Sequence, residues 1–191
     1  MYYMLNIFKY YFSGNKLAIT CCLLGLASGN AEAANDSVDI TITGRVLANT
    51  CTFDKSESKL NPILPPISDR DIKGVGVTGQ EIPVTIALKD CGADVESVKV
   101  SATGTSGSSS NKSVFGNMNT DSNAATGVGI YFFKRDTGVD KFNTDGSNPE
   151  SYTLTPGRNN TLSFRASYVG TADIVTAGEF RSVVTLSMTY Q

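Results

Sequence analysis

The sequence predicts an all-β fold, an antiparallel sandwich, on three observations. Apolar side chains recur at every second position, Gly, Pro, Asn, Asp and Ser clusters separate the recurring runs, and no segment carries a helical period. The first run places Val38, Ile40, Ile42, Gly44 and Val46 on one face and Asp39, Thr41, Thr43 and Arg45 on the other. Later runs hold Ile82, Val84, Ile86 and Leu88, then Val98, Val100 and Ala102, then Val128, Ile130 and Phe132, then Leu162, Phe164, Ala166 and Tyr168. The last sets Val184, Leu186, Met188 and Tyr190 against Thr185, Ser187 and Thr189. Turn signals fall between them at Pro65-Pro66, Gly74 to Gly79, Gly104 to Ser113, Asp145-Gly146 and Pro156-Gly157. About seven short strands in one domain point to an immunoglobulin-like sandwich, and the absence of Trp makes it a variant of that plan.

The 191 residues, 40% hydrophobic and 18% charged, suit one globular domain. Residues 1–33 read as a secretory signal peptide: Lys9 and Lys16, an apolar run from Leu17 to Leu26, then Ala31-Glu32-Ala33 before Ala34. That run is far short of the roughly 20 residues that span a bilayer, so no membrane span is expected in the mature protein. Cys21 and Cys22 fall inside the leader and neither follows the small residue that a lipoprotein cleavage site carries. Cys51 and Cys91 remain, and in an oxidising compartment they read as a disulfide.

Several function classes lose their support at this stage. The formal net charge is −2 and the basic residues are scattered singly, so no footprint for nucleic acid is expected. Gly74 to Gly79 matches G-x-G-x-x-G, but Pro83 and an alternating strand stand where a phosphate-binding helix would begin. Asn119, Asp121 and Asn123 start like a calcium loop, yet Ala124 and Ile130 occupy the positions that need Gly and Glu. Histidine is absent altogether, which removes the commonest general base and metal ligand. The pairs Asp69 and Asp71, and Asp136 and Asp140, lie in turn-rich polar stretches that read as solvated surface. No enzyme, metal or cofactor is expected.

The run at 38–46 is unusually well patterned for a chain end, where disorder is the usual expectation. Nine residues at strand rise span roughly 30 Å. Burying four such apolar side chains is worth on the order of 6–12 kcal/mol gross. Pattern alone leaves open whether this strand completes its own sandwich or another.

The chain resembles the type 1 fimbrial subunits, particularly the minor subunits of the tip. The resemblance rests on Val38 to Val46 followed by Cys51, on Leu88-Lys89-Asp90-Cys91, and on Leu154-Thr155-Pro156-Gly157 leading into Leu162 to Tyr168. It closes on Thr176-Ala177-Gly178 and the strand to Tyr190-Gln191, with Gly178 and Tyr190 spaced like the family's chaperone-recognition motif. The resemblance implies an incomplete immunoglobulin-like sandwich that lacks its last strand and is completed by donor-strand complementation. It implies three parts: a signal peptide at 1–33, an N-terminal donor extension at 34–48 and a pilin domain at 49–191. Val38, Ile40, Ile42, Gly44 and Val46 would be the donor residues that enter the next subunit. Gly178, Val184, Leu186, Met188 and Tyr190 would belong to the groove that a periplasmic chaperone fills first and a neighbouring subunit fills later, at the outer-membrane usher. Gly44 suits a shallow pocket because a residue without Cβ allows close backbone approach.

The function so implied is that of a structural fimbrial subunit, exported to the periplasm and carried to the cell-surface fimbrium, where it contributes to cell adhesion. The alternative is a glycan-binding tip subunit.

Overall fold

A computed structural model of the protein describes residues 41–43 and 49–191. Two units are distinct: Met1–Thr43, of which the described residues 41–43 are exposed and without regular secondary structure, and the compact unit Gly44–Gln191. Residues 1–33, expected to be a signal peptide, and Val38, Ile40, Gly44 and Val46 of the patterned first run, lie outside the described residues.

The compact unit contains β1 (Thr52–Asp54), a single 3-10 turn (Asp69–Ile72), β2 (Thr78–Lys89), β3 (Ser97–Gly104), β4 (Val114–Gly116), β5 (Val128–Phe133), β6 (Glu150–Thr153), β7 (Asn160–Gly170) and β8 (Val184–Tyr190). Each run predicted between Ile82 and Tyr190 is a strand. Three short strands, β1, β4 and β6, join them. One sheet has the order β1-β2-β7-β5-β4 and the other β6-β3-β8, every pairing antiparallel. The result is the all-β sandwich that the period-two pattern predicts.

The alternation decides which side chains face inward. Val84, Ile86 and Leu88 of β2, Val98, Val100 and Ala102 of β3, and Leu162, Phe164 and Ala166 of β7 are buried in one core. Phe132, Phe142 and Tyr152 gather round Phe164, with ring centroids 5.3, 6.2 and 5.7 Å from it. Each such ring contributes about 1.5–3 kcal/mol by leaving water. Tyr152 also donates its hydroxyl to the Lys134 carbonyl, so its polar end is satisfied, and burial pushes its pKa up.

β5 is buried on both faces. Its outward side chains Tyr131 and Phe133 form a second small cluster with Val114 and Val169. Cations cover it: Lys141 Nζ lies 4.6 Å from the Tyr131 ring centroid and the Arg165 guanidinium 4.2 Å from that of Phe133. Arg165 also donates from Nη2 to the Gly138 carbonyl at 2.8 Å, and together these contacts hold the loop after β5 against the sheet.

Cys51 and Cys91 are joined in a disulfide. It fastens the start of β1 to the end of β2, whose ladder pairs Thr52 with Lys89 and Asp54 with Ala87. Pro83 sits within β2, which a ladder on both sides would forbid. Here β1 covers only Ala87 to Lys89, so β2 is an edge strand at Pro83.

Candidate functional site

The three-stranded sheet ends at β8, which pairs on one side only, with β3. Its inward side chains Val184, Leu186, Met188 and Tyr190 pack against the core yet are only half-buried. Across from them β2 is also an edge. Between the two edges the sandwich is open, and a groove of about 800 Å³ runs along it. Its floor is the core itself: Ile82, Val84 and Ile86 of β2, Ile130 and Phe132 of β5, and Ala166 and Tyr168 of β7. A sandwich of this architecture buries such positions under a strand.

The far wall is the segment 59–64, which includes Leu60, Ile63 and Leu64. Lys59 N donates to the Thr85 carbonyl at 2.9 Å. Ser58 Oγ, accepting from Ala87 N at 2.9 Å, ties the preceding turn to β2. Pro62, Pro65 and Pro66 withhold three backbone donors, so this wall offers packing more than ladder bonds. Ile63 is 88% exposed although it lines the groove. An apolar side chain held so openly beside an apolar floor is surface without its cover.

At the end where β8 begins, Phe180 meets Tyr168 edge to face at 5.7 Å. Ser182 lies there too, its buried hydroxyl oxygen without a hydrogen-bond partner. Burial raises the pKa of both Tyr168 and Tyr190, so both phenols are neutral in the physiological range.

The sequence-predicted groove residues Val184, Leu186, Met188 and Tyr190 all line this groove. Gly178 does not. A Cβ there would lie 2.3 Å from the Asn123 carbonyl oxygen and 2.6 Å from Ala125 N, so this glycine lets the segment before β8 cross the 123–125 loop. Of the predicted donor residues only Ile42 is described, 90% exposed. Sequence reasoning did not assign the floor residues or the wall to the site. The floor residues carried the signal of core, and Asn61-Pro62-Ile63-Leu64-Pro65-Pro66 has no alternation to reveal a wall.

Elsewhere the described residues offer no rival chemistry. Asp69 and Asp71 sit on the exposed 3-10 turn and Asp136 and Asp140 on an exposed hairpin. Among the described residues no cluster of three His, Cys, Asp or Glu could hold a metal. The 118–123 loop is built of local turns in which Asn117 and Asn119 accept from the backbone N–H two residues on.

The family model of fimbrial proteins matches residues 40–191. An uncharacterized fimbrial-like protein of Escherichia coli, YdeS, is 28% identical over 177 residues, covering 93% of this chain and 98% of its own. Long polar fimbria protein A of Salmonella typhimurium is 28% identical over 179 residues, covering 92% and 97%. The fold is also that of a subunit in a chaperone–usher pilus solved to explain rod uncoiling, with a TM-score of 0.61, 21% identity, and 84% and 99% of the two chains covered. The names of these relatives are those of fimbrial and pilus proteins, and none is that of an enzyme. The chain belongs to the fimbrial protein family and is a fimbrial subunit.

Proposed function

We propose that the open groove receives the N-terminal strand of a neighbouring subunit, and that residues 34–48 of this chain are donated in turn to the groove of the next. The chain is then a structural link with one male and one female end. The observation that carries this reading is the half-burial of Val184, Leu186, Met188 and Tyr190 along an unpaired sheet edge. Strand addition satisfies both needs at once: ladder bonds to β8 and alternate side chains into the floor. Val38, Ile40, Ile42 and Val46 supply the side chains, and Gly44 the shallow point.

An uncovered groove of this kind invites aggregation. A periplasmic chaperone covers it after export, and the outer-membrane usher is where the neighbour's strand replaces the chaperone. No chemical energy source is needed if the incoming strand fits better. The assembled fibre stands on the cell surface and serves adhesion.

Deletion of residues 34–48 tests the two ends separately. The shortened chain should still take up a synthetic 34–48 peptide, seen as a rise in melting temperature, but should no longer form chain-to-chain oligomers. Oligomers of unchanged length from the shortened chain would contradict the donor role.

A further inference from the structure

We propose that the end of the sandwich carrying Val75, Val77 and Ile174 is the face on which the body of the strand-donating subunit, a second copy of this chain, seats. This rests on the donor-strand reading above and adds a surface to it.

The chain's own length forces a body contact. After Val46 only four residues, 47–50, precede Cys51, which the disulfide locks into the body of the donor. Fully extended, four residues reach about 14 Å. A donor whose strand lies in a groove therefore holds its body against one end of the acceptor sandwich.

The two ends differ in what they present. At one end β2 starts, β5 starts, β7 finishes and the 171–183 segment crosses to β8, as the pairs Thr78 with Val169 and Val128 with Gly170 show. There Val75 is 69% exposed, Val77 40% and Ile174 77%. They do not hang on loose loops. Gly74 N and Gly76 N donate to the carbonyls of Ala172 and Gly170 at 3.2 and 2.9 Å, which binds the 74–77 turn to the end of β7. Gly127, at φ +69°, has no room for a Cβ because the Ile174 carbonyl oxygen would lie 2.3 Å away, which fixes the Ile174 loop against the start of β5. The opposite end, around Cys51 and Cys91, presents exposed Asp90, Asp94, Glu96 and Arg158. Phe53, paired with Leu88 near that end, and Val139, in the loop that follows β5, are exposed on its flanks.

An apolar end held rigid beside the mouth of the groove is suited to a short apolar segment of the donor. The donor supplies one: Leu47 and Ala48 follow the strand directly, and Phe53, itself 36% exposed, follows Cys51. The contact is heterologous, one end of a copy against the other end of the next, so it propagates as an open fibre. It also sets the direction of the donated strand, which leaves the groove beside Val184 and places Gly44 near Phe180.

The test compares peptide uptake with whole-subunit pairing, using Val75→Asp and Ile174→Asp, and the milder Val75→Thr and Ile174→Thr in case the charged variants fail to fold. The variants should take the 34–48 peptide with unchanged affinity, while intact chains labelled for energy transfer should pair on the order of tenfold more slowly or weakly, a loss that matches removal of a small apolar contact. Pairing at the wild-type level would overturn the proposal, as would an equal loss from Val139→Asp on the opposite flank. Failure of the wild-type chain to take the peptide at all would instead remove the groove reading, and this surface with it.

Discussion

The Phe180 ring stands edge-on to Tyr168, centroids 5.7 Å apart and planes at 74°, and both rings line the groove together with Val184, the first residue of β8. A strand donated along β8 would pass over this pair of rings. In the proposed assembly Gly44 of one subunit meets Phe180 of another, where a residue without Cβ needs the least depth. A 34–48 peptide carrying Gly44→Ile should bind wild-type chain on the order of tenfold or more weakly, within the 1–3 kcal/mol that overpacking usually costs. The same peptide should recover most of that loss on a Phe180→Ala acceptor. Competition titrations of the four combinations read the coupling directly, and additive effects would show that Gly44 and Phe180 do not meet.

The disulfide closes a sequence separation of 40 residues and holds β1 and the groove wall to the end of β2. In the chain-entropy view a loop of that length contributes about 4 kcal/mol. The double variant Cys51→Ser with Cys91→Ser should unfold at markedly lower urea concentration, with protease cutting first in the 59–64 wall. An unchanged urea midpoint would contradict this role.

Acid should weaken the same corner. Asp54 is held at about 2, below its ordinary 3.8, chiefly by the hydrogen bond from Ser56 Oγ, then by the backbone N–H of Ser56 and Glu57 and by Lys89. A carboxylate whose folded pKa is depressed adds stability that is complete above its unfolded value and disappears as pH falls through the folded one. The melting temperature should therefore fall between about pH 4 and pH 2, and Asp54→Asn should flatten part of that slope. An identical slope in the variant would show that this turn does not contribute.

Much of the fold was legible because its long strands each have one buried face. Ile82 to Leu88, Leu162 to Tyr168 and Val184 to Tyr190 all carry the alternation that a half-buried strand imposes. Strands β1 and β4, three residues each, and β6, with four, are too short for a period to register, so Phe53, Phe115 and Tyr152 were not assigned to strands. Tyr131 and Phe133 escaped notice for a different reason: β5 is covered on both faces, and a single-face pattern accounts for only half of it. The groove was legible along β8 alone. Its floor belongs to strands that any complete sandwich would bury, and its wall is a proline-broken segment whose placement depends on tertiary contacts with β2. Gly178 read as part of the groove because of its spacing from Tyr190, whereas its role in the described structure is a close backbone crossing at Asn123.

In the proposed assembly the β8 edge lacks a strand and residues 34–48 supply it. A second copy of 34–48 fused after Gln191 through a short Gly/Ser linker puts this to a melting-temperature measurement. The melting temperature should rise by about 10 °C or more, as several kcal/mol of added stability gives for a domain of this size, and the rise should disappear when the Ile42 equivalent of the fused copy is changed to Asp. Equal melting temperatures with and without the fused strand would contradict it.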